Sequence, residues 1–259
     1  MTVIRSVSRA SRILVHLGEQ QESRSAKEIA AALGLALPTA YHLLGTLVGE
    51  GLLTKDSGRR YQLGPALAAI TDAYMRQFTP ADYLVGPLRQ LADASGETAY
   101  VGCWRQNRLA VLASVEGQNA VRVSGVHVGF ATAAHARASG KVLLAFAPDS
   151  VRDTYLLENP LVGITPRTIV EPSELRLELE RTRLLGFAVD EEEFREGVAC
   201  VAAPLLDGGF PVAAYSISAP VERFRRRRQE LIDLVVEATR QAAAERDGGT
   251  ELRAVVSAS

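Results

Sequence analysis

The sequence has little cysteine and no long apolar run. Cys103 and Cys200 are the only cysteines among 259 residues, and no CxxC spacing is present, so neither a disulfide framework nor a zinc ribbon is predicted. The apolar run at 142–147 is far shorter than the ~20 residues that cross a bilayer, and the N-terminus lacks the apolar core of a signal peptide. We therefore expect free thiols, no membrane partner and a cytoplasmic location.

Net charge is also nearly absent. The formal charge is only -1, whereas a protein that coats nucleic acid would show a clear basic excess. The two parts of the chain differ, however: residues 1–63 hold 8 Lys and Arg against 5 Asp and Glu, and residues 64–259 hold 21 against 25. A small basic head and a larger acidic body suggest separate partners for the two parts.

The head shows the signals of three helices. The first has an apolar stripe at roughly helical spacing, formed by Val7, Ile13, Leu14 and Leu17. Ser25 and Glu28 fit a capping box that begins a short second helix, and Gly34 ends that helix. Pro38 suits the first turn of a third helix, which we expect to reach about Glu50. Two short helices joined by a glycine-containing turn are typical of a helix-turn-helix.

The third helix has one apolar face and one polar face. The apolar stripe consists of Ala40, Leu43, Leu44, Leu47 and Val48. On and beside the opposite face lie the residues that we expect to contact DNA, namely Pro38, Thr39, Tyr41, His42 and Thr46. We add Ser25, at the start of the second helix, to these DNA-binding candidates.

A hairpin is predicted directly after the third helix. Two short apolar segments flank residues 56–59, and Gly58 within a four-residue connection favours a hairpin. Lys55, Arg59 and Arg60 cluster at its tip. Such a ribbon is the wing of a winged helix-turn-helix, and its cations would lie over phosphates beside the groove.

The body has mixed signals that predict an α+β fold. Strands are expected at 98–105, 109–115 and 121–124, helices at 140–145, 152–157 and 173–185, and a second hairpin at 198–218. Strands and helices on one core indicate an α/β sandwich. We expect a winged helix-turn-helix domain at 1–63, a connector helix at 64–79, a sandwich domain at 80–246 and a flexible tail at 247–259.

Several segments together resemble the IclR family of bacterial transcription factors. They are the third helix with the turn before it (33–47), the segment 60–65, and the body segments 135–144, 197–204 and 216–220. The resemblance spans most of the chain and implies a GAF-like effector domain behind the winged helix-turn-helix. One departure is His42, where the family often carries Arg; a neutral imidazole offers one hydrogen bond and no bidentate guanine contact.

The resemblance also implies a ligand and an assembly. Proteins of this family bind a small organic acid or aromatic compound and act on operator DNA as dimers or tetramers. The positions that match the family's effector pocket are Gly140, Asp190, Cys200, Ser216 and Ser218. Ser216 and Ser218 are two apart on one predicted strand, so their side chains face the same way. No cofactor and no metal are implied.

Four other interpretations stay open at this stage. His135 and Cys200 could form a catalytic pair, which would make the body an enzyme acting on a small acid. The acidic run 191–193 could bind a metal, although such runs are most often solvated turns. The arginines at 225–228 could contact DNA, or they could form a solvated or subunit-facing surface. A protein-interaction module with a vestigial head is a further alternative.

Overall fold

A computed structural model describes residues 3–20 and 22–257, and for 249–257 it describes the backbone alone. The chain divides into two compact units, one that ends at Gln77 and one that begins at Phe78. The boundary therefore falls inside the predicted connector, and its helix belongs to the first unit.

The N-terminal unit is a helical bundle with a small sheet. Its elements are α1 (Arg5–Gly18), β1 (Arg24–Ser25), α2 (Ala26–Leu33), α3 (Leu37–Gly49), β2 (Leu53–Lys55), β3 (Arg60–Leu63) and α4 (Ala66–Met75). The antiparallel sheet has the order β1-β3-β2. The angle between α2 and α3 is 115°, which is within the range of a helix-turn-helix. The predicted winged helix-turn-helix is confirmed.

Local chemistry sets the ends of α2. The Ser25 hydroxyl accepts from the Glu28 backbone N–H at 3.3 Å, and the Ser25 N–H donates to the Glu28 carboxylate at 2.6 Å. This reciprocal capping box satisfies two N–H groups that the helix itself leaves unpaired. Gly34 ends α2 with a φ of 63°, a left-handed conformation that glycine adopts without strain. The turn into α3 thus follows from short-range signals.

The core of this unit differs from the predicted stripe at one residue. Ile13 and Leu17 of α1 are buried against α2, α3 and the sheet. Val7 is 61% exposed, so its place in that stripe was wrong. The reason is geometric: Val7 lies on the same side of α1 as the exposed Ile4 and Val15, at spacings of three and eight.

The C-terminal unit is a six-stranded antiparallel sheet with helices on both faces. Its elements are α5 (Asp82–Ser95), β4 (Thr98–Arg105), β5 (Arg108–Val115), β6 (Gly129–Phe130), α6 (Ala138–Phe146), α7 (Asp149–Glu158), α8 (Pro172–Leu185), β7 (Ala188–Glu191), β8 (Val198–Asp207), β9 (Phe210–Pro220), α9 (Val221–Arg226) and α10 (Arg228–Ser257). The strand order is β6-β5-β4-β9-β8-β7. The predicted α+β sandwich is confirmed.

Each face of the sheet has its own core. Residues such as Val101, Val201 and Tyr215 pack with α5 and α10 on one face. The opposite face packs with α6 and α8 around Cys200, Ala202 and Ala214. The period-two alternation along β8 and β9 separates these sets. Polar residues of the second face therefore lie under α6, where a cavity can form.

Two segments differ from the sequence-based expectation. The predicted strand at 121–124 is a loop: Thr98 and Ser114 donate side-chain hydrogen bonds to the carbonyls of Val123 and Val126, at 2.6 and 3.1 Å, in place of ladder bonds. The backbone of α10 is helical as far as Ser257 and so includes most of the segment predicted as a tail, whose last two residues lie outside the described part.

No single helix in the described ranges is long and apolar enough to cross a membrane. The pair formed by α2 and α3 would meet that condition on combined length and composition, and it is bent at its junction.

Candidate functional site

The outer face of α3 carries the predicted DNA-contacting side chains. Tyr41, His42 and Thr46 are exposed, and Thr39 is half-buried. Tyr41 has 51% of its surface exposed, although a tyrosine usually buries most of its ring. The Thr46 hydroxyl donates to the His42 carbonyl at 3.0 Å, so its remaining capacity toward DNA is as an acceptor. This face has no acidic residue before Glu50, which suits an approach to phosphates.

The wing separates the three cations that the sequence placed together. Lys55 and Arg59 are exposed, and within the described ranges Arg59 makes no side-chain hydrogen bond or ion pair. Arg60 instead turns inward. Its Nε and one terminal nitrogen donate to the Ser23 carbonyl at 3.1 and 2.8 Å, and its guanidinium lies 3.3 Å from the Glu28 carboxylate.

The predicted tip cluster is therefore corrected for Arg60. Asp56 organises the turn by accepting from the Arg60 N–H at 2.8 Å, and β3 places Arg60 beside β1 and the start of α2. An arginine tied to a carbonyl and a carboxylate has little free charge to offer a phosphate. Arg59 and Lys55 remain the cations that the wing presents to solvent.

The C-terminal unit contains a cavity on the α6 face of the sheet. Its volume is about 230 Å³, larger than the roughly 150 Å³ cavity that accepts a benzene ring in an engineered protein. The loop 123–132 forms one wall and the segment 190–198 another. The side chains central to the chemistry are Tyr100, Thr132, Arg137, Asp190, Phe194, Arg195, Cys200 and Ser218.

Three of the five predicted effector residues line this cavity. Asp190, Cys200 and Ser218 lie side by side on neighbouring strands β7, β8 and β9, and the Cys200 sulfur is 3.0 Å from the Ser218 hydroxyl. Antiparallel pairing brings such cross-strand neighbours together on one face. This polar row is the floor of the cavity.

Gly140 and Ser216 have other positions than predicted. A Cβ on Gly140 would lie 2.1 Å from the Ala134 carbonyl oxygen, so this glycine allows α6 to approach the turn at 134–136. Ser216 is fully buried and lies opposite Tyr100 on β4. It is two residues along β9 from Ser218, the end of the polar row. Neither residue lines the cavity, so their assignment to its surface is corrected.

Asp190 combines burial with hydrogen bonds from the backbone. Its Oδ1 accepts from the N–H groups of Glu193 and Phe194 at 2.8 and 3.2 Å. Burial raises the pKa of Asp190 to about 6, although these hydrogen bonds and the nearby Lys141 act in the opposite direction. The carboxyl can therefore accept or donate a hydrogen bond toward a ligand near neutral pH.

The same network continues into a buried ion pair. Lys141 is fully buried, and its Nζ lies 2.6 Å from Glu193 Oε1, 2.6 Å from the Val189 carbonyl and 3.2 Å from Glu178 Oε1. Burial raises the pKa of Glu193 to about 7 against the attraction of Lys141. The segment that carries Asp190 is thereby held to α6 and α8.

The catalytic-pair hypothesis has no geometric support. The ring nitrogens of His135 lie 3.0 Å from the Tyr155 hydroxyl and 3.2 Å from the Val162 carbonyl, and His135 does not line the cavity with Cys200. Burial raises the pKa of Cys200 to about 12, which keeps the thiol protonated and a poor nucleophile. Cys200 has the environment of a buried small side chain.

The acidic run and the arginine cluster contact each other. Arg225 lies 2.7 Å from Glu191 and 3.4 Å from Glu192, and Arg228 lies 3.1 Å from Glu191. Among the described residues no group of three or more His, Cys, Asp and Glu side chains could hold a metal ion. These charges therefore link the 190–196 segment to α9 and α10.

Sequence reasoning missed several cavity residues. Tyr100, Thr132 and Phe194 come from three separate segments, and only the strand order brings them together. Arg137 lies inside the segment 135–144 on which the resemblance rests, so a charged residue three positions before a glycine-lysine pair was an available signal.

Comparison with known proteins identifies the family. Residues 6–57 match the IclR helix-turn-helix domain, and residues 81–244 match the bacterial transcriptional regulator IclR C-terminal domain. The chain belongs to the IclR family of bacterial transcriptional regulators. The relatives of this IclR-family protein are named as transcriptional regulators, and these names point to a role other than catalysis.

Relatives of this IclR protein match it over nearly the full length. The glycerol operon regulatory protein of Streptomyces coelicolor is 34% identical over 95% of this chain and 97% of its own. The Thermotoga maritima IclR structure is 29% identical with a TM-score of 0.71, over 93% of this chain and 98% of that chain. An IclR homolog from Microbacterium hydrocarbonoxydans, complexed with 4-hydroxybenzoate, shares the fold at 21% identity and a TM-score of 0.67, over 92% and 98%.

Proposed function

We propose that this IclR-family protein binds operator DNA through its winged helix-turn-helix and releases or tightens that grip when a small organic acid or aromatic effector enters the cavity above the polar row. The observation that carries the proposal is the cavity itself. It places two arginines beside an Asp-Cys-Ser row, in a chain whose other unit has an exposed recognition helix.

The DNA-binding unit is expected to work in pairs. One head offers a few side chains on α3 and two exposed cations on the wing, which neutralise too few phosphates for tight specific binding. We therefore propose a dimer, or a dimer of dimers, with operator half-sites about one helical turn apart. The exposed apolar residues Val7 and Val15 on α1, Ile4 just before it, and Ile70 on α4 favour these helices as subunit contacts. Because operator DNA is cytoplasmic, we propose the same location for the protein.

The cavity favours a ligand of about one aromatic ring. Phe130, Phe194 and Val111 supply apolar walls, while Asp190 and Ser218 supply hydrogen-bonding groups. A homolog of the same fold is complexed with 4-hydroxybenzoate, and a compound of that size matches the volume.

The test is a fluorescence-anisotropy titration of labelled DNA from upstream of the protein's own gene, at two salt concentrations and with small carboxylic acids present or absent. Salt-sensitive binding that an acid shifts at least fivefold supports the proposal. Binding with no preference for this DNA over a scrambled duplex would contradict it. Sedimentation of the protein with and without DNA then gives the stoichiometry.

A further inference from the structure

Arg137 differs from most arginines of the C-terminal unit in having no acidic partner. Arg122, Arg223 and Arg225, for example, each contact a glutamate. Among the described residues no carboxylate lies within ion-pair distance of Arg137, although this side chain is half-buried. A cation that is partly removed from water without a counter-ion is costly unless another anion compensates it.

Two contacts hold the Arg137 side chain against the cavity. Its Nε donates to the Thr132 carbonyl at 2.9 Å, and its guanidinium carbon lies 3.4 Å from the centre of the Phe194 ring. Thr132, Phe194 and Arg137 all line the cavity. The first contact uses one of five N–H donors, and the stacking leaves the edge of the planar group accessible. The terminal nitrogens can therefore form the two parallel hydrogen bonds that a carboxylate accepts.

The charge of Arg137 acts on the polar row. Burial raises the pKa values of Tyr100, Asp190 and Cys200, and the positive charge of Arg137 acts in the opposite direction on each of them. Arg195 adds a second positive charge in the cavity wall. Asp190 is the one cavity-lining carboxylate among the described residues. The cavity lining thus suits an anion, with a carboxyl available to a hydrogen-bond donor.

We propose that Arg137 selects the charge of the effector: its guanidinium binds the carboxylate of a small monocarboxylic acid, and Asp190 accepts a hydrogen bond from a hydroxyl group on the same molecule. The class that fits is a hydroxy acid of about one ring or less. This inference rests on the proposed effector site, and it adds which residue recognises the charge. Neutral amides and alcohols of equal size should bind weakly, because they leave Arg137 unpaired.

The experiment measures ligand binding directly, without DNA. Lactate, benzoate and 4-hydroxybenzoate are each titrated calorimetrically against the wild-type protein beside their own amides. At least one acid should bind about 10- to 100-fold more tightly than its amide, the range expected for a hydrogen bond to a charged group. Arg137→Gln should abolish that preference while the weak affinity for the amide persists, which shows that the cavity is intact.

Two further variants separate charge recognition from unrelated effects. Arg137→Lys keeps the charge but lacks the planar fork, so an intermediate preference is expected. Arg183→Gln removes an exposed charge of α8 that does not line the cavity and should change nothing. The proposal is overturned if acids and amides bind equally, or if the acid preference survives in Arg137→Gln. It is also overturned if none of the acids binds even at ten times the highest amide concentration tested. An acid that binds through Arg137 without altering DNA affinity would refute the regulatory proposal and leave this one standing.

Discussion

Arg59 and Arg60 are adjacent in the wing, yet the structure assigns them different tasks, and paired variants should separate these. Arg59 is exposed and its side chain makes no hydrogen bond or ion pair within the described ranges, whereas the Arg60 side chain donates to the Ser23 carbonyl and pairs with the Glu28 carboxylate. We expect Arg59→Gln to weaken binding to every DNA sequence, because it removes a phosphate contact. Arg60→Gln should instead loosen the junction between wing and α2.

The magnitudes follow from these contacts. Losing one phosphate contact makes the negative slope of log K against log salt concentration shallower by about 0.9. Between 50 and 200 mM salt, this changes the salt-induced loss of DNA affinity by a factor of about 3.5. Arg60→Gln loses the guanidinium contacts with the Ser23 carbonyl and the Glu28 carboxylate. The Arg60 side chain is 38% exposed. The cost of Arg60→Gln should be about 1–2 kcal/mol in the free energy of unfolding, with the salt slope kept.

Two measurements on the same proteins decide the matter. Anisotropy with labelled operator at four salt concentrations gives the slope, and urea unfolding gives the stability. Each variant removes one charge from the wing, so each is the control for the other. A flatter salt slope for Arg60→Gln, with the slope of Arg59→Gln unchanged, would contradict these two roles.

Three other variants test the C-terminal unit. Lys141→Met leaves the half-buried Glu193 and Glu178 without the fully buried cation that pairs with them and should cost about 3–5 kcal/mol in urea unfolding; full stability of the variant would contradict this pairing. Burial raises the pKa of Asp190 to about 6, so the wild-type protein should become more stable as the pH falls from about 6 to about 4. Asp190→Asn should therefore stabilise the ligand-free protein above about pH 6 and lose that advantage below about pH 4, as measured by unfolding curves. Cys200→Ser should keep the effector response of operator binding. If the wild-type protein turned over a small acid and this variant did not, Cys200 would instead be a nucleophile.

The winged helix-turn-helix was predictable because its signals are local. The Ser25 capping box, the left-handed Gly34 and the apolar stripe of α3 each act within a few residues. The prediction that Val7 belongs to the buried stripe of α1 was wrong, because helical spacing alone does not tell which face of a helix the other elements cover. Arg60 was misplaced because its partner, the Ser23 carbonyl, is 37 residues away along the chain.

The cavity was less predictable, since it depends on strand order. Asp190, Cys200 and Ser218 were found by resemblance, and the register of β7, β8 and β9 confirms that they adjoin. Periodicity cannot show that β4 inserts beside β9 and brings Tyr100 to the same face. Arg137 is recognised as unusual only once the absence of an acidic partner among the described residues is known.

We expect the cavity and the DNA-binding face to be coupled, and thermodynamic reciprocity offers the most direct test of this coupling. The dissociation constant of the acid is measured by calorimetry with the free protein and with the protein saturated by operator DNA. A coupling of about 1–3 kcal/mol changes that constant about 5- to 150-fold, by the same factor that the acid changes operator affinity. Equal constants with and without operator DNA would contradict the account.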